Sequence, residues 1–471
     1  MVVALLYLPA LGFELVFDDH ALIGPDGPRA LGPDGLPYRP LRYLSLQLDH
    51  VLGGGRIWVY HATNLLLHAA VCCLTFAIAR TLGASGFLAL LAGVTVASHP
   101  LCVESVAYVA GRRDLLACLF GLCAIRTWIA GSGRTAAAVL LVLAGVAAKE
   151  SALIFISVLA LASRFGFGPP LRSAVPMLVA MSGAGLALPV AYGAIGPALA
   201  PAREVVLIAG RTTAHYAAGL VWPVTLSVEY PELICQPGCP QMFSPTTLVG
   251  FIIMLAMLVG SGHFLRRPLL ASGRDSIGFA FCWMTAVASS LALVIGLHEP
   301  GADRHAYPLL VAVSVVFALL VTRACGTADK SSWSACRARQ HALGVLIAAI
   351  WSASIPAFGL VTEVRLHAWA NESSLWRATL DTTPDSARAR FNTAAIRVEQ
   401  GRYFAARRHL RRLLQSHPGD GRAYAALAWI DCADGRMIRA RSHIEMAHQF
   451  DAPFELIENA ERECSVSEDV R

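Results

Sequence analysis

Charge is what this sequence has least of. Only 15% of its 471 residues are Asp, Glu, Lys or Arg, against roughly a quarter in ordinary soluble domains. That deficit excludes a soluble globular chain for most of its length. The net charge of +6 needs no nucleic-acid partner, because cytoplasmic loops and a basic C-terminal region account for it. The twelve cysteines show no disulfide framework. Cys72, Cys73, Cys102, Cys118, Cys123 and Cys282 stand in or beside apolar stretches, where cysteine serves as a small hydrophobe. The one pair that invites a bridge is Cys235 and Cys239 in "CQPGC", which suits an extracytoplasmic loop. As a zinc half-site the same pair lacks nearby partners. The opening "MVVALLYLPALGFELVF" has neither a basic leading region nor a small-residue cleavage pattern, so no cleaved signal peptide is expected.

What the chain has instead is apolar length, with a mean hydropathy of +0.55. Apolar runs lie near 1–17, 61–80, 86–99, 114–130, 135–149, 151–165, 172–197, 246–264, 277–297, 305–323 and 342–360. They predict an all-α, polytopic membrane domain of about eleven spans. Segment 203–222 carries Arg203, Glu204, Arg211 and His215 and reads as an amphipathic helix at the interface. With a cytoplasmic N-terminus, "RFGFGPPLR", "FLRRPLLASGR" and "TRACGTADKSSWSACRAR" then fall inside, as the positive-inside trend requires. Arg39, Arg42, Arg112 and Arg113 fall outside, against that trend.

From about residue 366 the composition turns charged, Arg- and Ala-rich. Pro384 and Pro418 are 34 residues apart, as are Gly401 and Gly435, and Ala406 and Ala440. Two helices per period, with Gly at the turn and Ala at the crossing, resemble tetratricopeptide repeats. "WANESSLWRATLDTT" supplies half of a preceding repeat. The expected division is a membrane domain over 1–365 and a short repeat α-solenoid over 366–471, outside the cytosol.

Charges beside membrane spans are the informative residues, and here they gather at span ends on the outer face. The set comprises Asp18, Asp19, Arg39, Arg42, His61, His99, Glu104, Arg112, Arg113, Lys149, Glu150, Glu229 and Arg304, with His20, Asn64, His68, Asp114, Asp303 and Tyr307 beside them. Carboxylates and cations meeting at a lipid surface suit a site that holds a phosphate while an acid works on something else. Plainer readings stand beside this one. Asp18 and Asp19 can simply end a helix, and His61 can belong, with His68, to a polar stripe between helices. Arg112 and Arg113 can be snorkelling anchors, and Lys149–Glu150 an internal pair.

The ordered run "FDDH", "YRPL", "YHATNLLLH", "HPLCVESVAYVAGRRD", "AAKES", "WPVTLSVEY" and "ADRHAYPLL", followed by "WANESSLWRATLDTTPDSARARFNTA", covers nearly the whole chain. It resembles the transmembrane and tetratricopeptide-repeat protein O-mannosyltransferase family and its bacterial relatives, GT-C membrane glycosyltransferases. The resemblance implies a multi-span enzyme that takes a sugar from a polyprenyl-phosphate carrier and gives it to a hydroxyl of a protein outside the cytosol. It implies a catalytic base from the Asp18–Asp19 pair. Arg112 or Arg113, with Arg39 and Lys149, would hold the lipid phosphate. His305 stands where an aromatic is expected, and Glu229 where Asp is common, which separates this chain from the pattern on the acceptor side.

The chemistry follows independently. A sugar phosphate ester has a good leaving group, so the enzyme supplies a base for the acceptor hydroxyl and cations for the departing phosphate. A single displacement inverts the anomeric centre. A divalent metal on Asp18 or Asp19 stays an open alternative, since adjacent carboxylates suit hard cations. Two other functions compete. A non-catalytic, membrane-anchored scaffold would rest on the repeats alone. A transporter would show related halves with midplane charges, and no such symmetry is visible. The expected setting is a bacterial inner membrane, with the lipid bilayer and a lipid-linked sugar as partners and the repeats in the periplasm.

Overall fold

The computed structural model describes residues 1–30, 39–191, 202–230, 233, 244–267, 274–293, 301–326 and 335–469. Cys235 and Cys239 lie outside them. The chain forms two compact units, one of Met1–Leu226 with Glu232–Ala370, the other of Ser227–Pro231 with Asn371–Arg471. Both are helical. Among the described residues the β-structure is one two-residue hairpin, Ile23–Gly24 against Gly27–Pro28.

In the larger unit, α1 (Val2–Tyr7) runs into a tighter turn, Leu8–Gly12, and the chain is extended at Phe13. The expected span at 1–17 is therefore helical only over its first part. The short α2 (Asp19–Leu22) follows, then α3 (Pro40–Gly53), which opens on a proline and closes at Gly54 with φ +60°. Proline suits a first helical turn and glycine a left-handed stop. On α3, Arg42, Leu46 and Asp49 are buried, while Leu44, Leu48, Val51 and Leu52 are exposed. The spacing is that of two opposite helix faces.

Next come α4 (Ile57–Thr81) and α5 (Gly86–Ser98), the latter capped by Ser85 Oγ, which accepts from Leu88 N at 3.3 Å. A Cβ on Gly93 would stand 2.9 Å from the Cys72 carbonyl oxygen, so glycine is what lets α5 close on α4. Beyond α5 the chain bends by 52° into Pro100–Ala107, which ends in α6 (Val103–Ala107). Extended backbone at His99, before proline, makes the break.

The rest of the unit is α7 (Arg112–Ile129), α8 (Thr135–Ala148), α9 (Ile154–Arg164), α10 (Leu171–Ala191), α11 (Ala202–Val221), α12 (Pro245–Arg266), α13 (Ser276–Leu293), α14 (Tyr307–Cys325) and α15 (Ala335–Ala368). Among the described residues four helices are long and apolar enough to cross a membrane: Ile57–Thr81, Pro245–Arg266, Asp303–Cys325 and Ala338–Ala368. The bent pair makes five. Other apolar stretches form shorter helices, among them Thr135–Ala148 and Val205–Val221. The segment read as interfacial packs one face on its neighbours, while Val206, Val221 and Trp222 are exposed. Leu207, Ile208, Arg211 and Thr212 are buried, and Arg211 Nε donates to Thr247 Oγ1 of α12 at 3.4 Å.

The smaller unit contains α16 (Glu372–Thr382), α17 (Ala387–Glu399), α18 (Tyr403–Ser416), α19 (Gly421–Ala433), α20 (Met437–Gln449) and α21 (Phe454–Asp469). Caps set their starts: Asn371 and Ser374 bond reciprocally, Ser386 Oγ accepts from Ala389 N at 3.0 Å, and Asp420 accepts from Arg422 N at 3.1 Å. Gly401 and Gly435 turn the chain between paired helices with φ of +69° and +73°, a conformation that disfavours any Cβ. Ala406 and Ala440 are fully buried beyond those turns.

One reading needs correction. The cysteines include a bridge that spacing did not reveal, between Cys432 of α19 and Cys464 of α21, with Cα atoms 4.7 Å apart. Packing of α21 on α19 makes it, a tertiary event with no local sequence mark.

Candidate active site

The site is assembled around the bend after α5 and the loop between α6 and α7. Asp19 is fully buried. Its Oδ1 accepts from Ala110 N at 2.7 Å, and its Oδ2 from Val109 N and Val16 N, each at 3.3 Å. Burial raises its pKa to about 7 although these three donors favour the anion. Asp18 is the N-terminal residue flanking α2 and is half-buried. The two adjacent acids thus differ in kind: one is fully buried and enclosed by main-chain donors, the other is only half-buried.

Arg112 is fully buried and engaged on every side. Its Nε donates to Asn64 Oδ1 at 2.9 Å, Nη1 to the Ser45 carbonyl at 3.1 Å and Nη2 to the Tyr60 carbonyl at 2.7 Å. Asp49 Oδ2 lies 2.5 Å from Nη1. Asn64 in turn donates to the carbonyls of Val106 and Tyr108. Arg112 therefore ties α3, α4 and the α6–α7 loop together. Its neighbour Arg113 makes a looser pair, Nε to Asp114 Oδ2 at 3.5 Å, and that Nε has no hydrogen-bond acceptor among the described residues.

Lys149 Nζ donates to Asp114 Oδ1 at 2.5 Å, and Arg113, Arg39 and Arg304 all lie within electrostatic range of it. Arg39 grips Glu150 with two donors, Nε at 3.0 Å and Nη2 at 2.6 Å. Burial opposes the Glu150 anion, but the Arg39 charge and hydrogen bonds outweigh it and hold the pKa down to about 2. Glu104, fully buried, accepts from the Arg304 backbone N at 3.0 Å and from its guanidinium. Asp303 beside it pairs with Arg365. A small cavity of about 20 Å³ opens among Asp114, Lys149, Ser151 and His305, room for about one water.

Not every expected residue takes part. His99 Nδ1 accepts from Leu101 N at 3.3 Å, so its proton sits on Nε2, which meets the Leu220 carbonyl at 3.2 Å. It caps the bend. His61 is buried edge-on to Phe13, and Arg42 is buried on α3. Glu229 belongs to the other unit, where it accepts from Ser386 Oγ at 2.5 Å and lies 3.5 Å from Arg388.

Tyr108, absent from the expected set, belongs here. Its ring stands 6.0 Å from Phe17 and 5.3 Å from Trp369, and its buried hydroxyl has no hydrogen-bond partner among the described residues. Asp18, Asp19, Arg113 and Arg304 are all within its electrostatic range. Asp49 was also missed, though its spacing of seven from Arg42 placed both on one face of α3.

Among the described residues no three His, Cys, Asp or Glu side chains converge as metal ligands. Asp19 does not fit a cation ligand, because amide N–H groups already point at its oxygens.

These apolar helices with their buried ion pairs mark a multi-pass membrane protein. The chain is 44% identical over 92 residues to Protein O-mannosyl-transferase TMTC2 of Homo sapiens, covering 20% of this chain and 11% of that protein. It is 35% identical over 187 residues to Protein O-mannosyl-transferase Tmtc2 of Drosophila melanogaster, covering 33% and 20%. Against Tmtc1 of the same fly it is 36% identical over 125 residues, 25% and 14% of the two chains. The chain thus spans a fifth or less of the length of these curated relatives. The similarity supports the family read from the motifs, the TMTC O-mannosyl-transferases. No family model matches the chain, and no solved structure matches it.

Proposed function

We propose that the chain is a membrane glycosyltransferase of GT-C type that moves a sugar, mannose by analogy with the relatives' names, from a polyprenyl-phosphate carrier to a hydroxyl of a protein outside the cytosol. Asp18 is the base. The observation that carries this assignment is the enclosure of Asp19 by Val16, Val109 and Ala110 N–H groups, which leaves the half-buried Asp18 as the acid of the pair for the acceptor.

As the acceptor hydroxyl attacks the anomeric carbon, its proton passes to the Asp18 carboxylate while the sugar–phosphate bond breaks. The electron pair leaves on the phosphate. Arg113 meets that charge, with Lys149 and Arg39 behind it. One displacement inverts the centre. Tetratricopeptide-type helix pairs would present the acceptor, and the membrane part would cross the bilayer about eleven times. The repeats lie outside the cytosol, in a bacterial periplasm on this reading; the Cys432–Cys464 bridge supports the non-cytosolic part of it, since disulfides persist in oxidising compartments.

The test is transfer of labelled mannose from polyprenyl phosphate to protein in membranes containing the full chain. Asp18→Asn should lower the rate by about 10²–10⁴-fold, the usual contribution of a general base, with the melting temperature unchanged. Asp19→Asn should lower the melting temperature first. Equal transfer by wild type and Asp18→Asn would sink the assignment.

A further inference from the structure

The repeat unit carries two clefts one repeat apart, and their charges are arranged differently. The second, about 330 Å³, is lined by Arg407, Arg411, Leu414, Leu427, Asp431 and His443 among others. The first, about 280 Å³, is lined at the positions 34 residues earlier by Arg377, Leu380, Thr393, Arg397 and His409, together with Arg390 and Arg412. Arg411, Leu414 and His443 recur as Arg377, Leu380 and His409, whereas Arg407 and Leu427 give way to Ser373 and Thr393, and Asp431 of the second cleft corresponds to Arg397 of the first.

That exchange changes what each cleft lacks. Asp431 is buried, pairs with Arg407 and accepts from His443 Nδ1 at 3.0 Å. The second cleft contains its own counter-ion. In the first, among the described residues, Arg397 donates to the neutral Gln400 alone, at 2.8 Å. His409 Nδ1, Thr393 Oγ1 and Arg390 Nε are buried without a hydrogen-bond partner among the described residues. Arg390 reaches one carboxylate, Asp385, at 3.4 Å, and that side chain is 86% exposed. Buried polar groups ordinarily find partners, and guanidinium groups accept carboxylates as forked pairs.

We propose that the first cleft binds an acidic segment of polypeptide, one of whose side-chain carboxylates takes the place that Asp431 fills one repeat later. A peptide fits the remaining lining better than a bare phosphate. Leu380, Pro384 and Ile396 give apolar walls for neighbouring side chains, and Asp381, which would repel a dianion, can accept from a peptide N–H. The site needs no transfer chemistry and stands whether or not the sugar reaction is as proposed.

The probe is a short fluorescein-labelled peptide of glutamate and leucine, titrated by anisotropy against the full chain in detergent. Wild type should bind saturably. Arg397→Asp, which installs the second cleft's carboxylate in the first, should weaken binding roughly tenfold or more. Should that variant melt early, the exposed Arg377→Gln and Arg412→Gln carry the test, each costing about two- to fivefold. Arg439→Gln, in the second cleft, should bind as wild type. No binding by wild type would overturn the proposal. So would unchanged binding by both exposed variants, or displacement of the peptide by inorganic phosphate or phosphatidylglycerol vesicles at equal concentration.

Discussion

Charges in the two units are arranged on opposite principles. In the larger unit they come in closed pairs that join elements far apart in sequence: Arg39 with Glu150, Lys149 with Asp114, Arg112 with Asp49, Glu104 with Arg304. In the first cleft of the repeat unit, four arginines line one cavity with a single lining carboxylate. The difference teaches what each is for. An ion pair buried among apolar helices has already met its partner, so its work is to fix geometry. Cations left on an open cleft can still accept one from outside.

The comparison can be broken in descending order of effect. The half-buried Asp18 comes first, since Asp18→Asn removes the proposed base without removing any of these closed pairs. Next is Arg112. Replacing it with Met leaves Asp49 buried and unpaired, and should cost about 3–5 kcal/mol of stability, read as a fall in melting temperature in detergent. Adding Asp49→Leu should recover part of that loss, whereas a pair that only decorated the surface would show neither effect.

Titration gives a third, smaller test with opposite signs at two sites. The Asp19 pKa is raised from 3.8 to about 7, so the folded form holds its proton more tightly and stability falls as pH rises through that window. Glu150 is lowered from 4.5 to about 2, so its contribution is present above 4.5 and lost as pH falls toward 2. Melting temperature against pH should lose its neutral-side slope in Asp19→Asn and its acid-side slope in Glu150→Gln. Smallest is Ser386→Ala in the repeat unit, which removes both the cap on α17 and the bond to Glu229. It should cost about 1 kcal/mol, seen in the same melt.

Much of this was legible in the chain because a charge-poor sequence makes each charge conspicuous. The Asp18–Asp19 pair, the Arg112–Arg113 pair and Lys149–Glu150 stand out beside apolar runs, and the 34-residue period is local enough to read directly. What was hidden depends on atoms without letters. Asp18 and Asp19 are identical in sequence, and the amides that separate them come from residues ninety positions away. Glu229 looked like one more acid of the site, yet the five-residue stretch around it packs with residues 371–471. Cys432 and Cys464 stand 32 residues apart with nothing in the sequence to pair them, and it is α21 that brings them together.

The cradle around Asp19 also bears on how mutational scanning would see this site. The donors at 109 and 110 are main-chain N–H groups, which nineteen of the twenty amino acids supply alike. A scan that swaps side chains at Ala110 reads packing volume there and misses the contact that aims the acid pair. Proline alone deletes that N–H, so in a saturation library the row for position 110 should show proline falling well below residues of similar size.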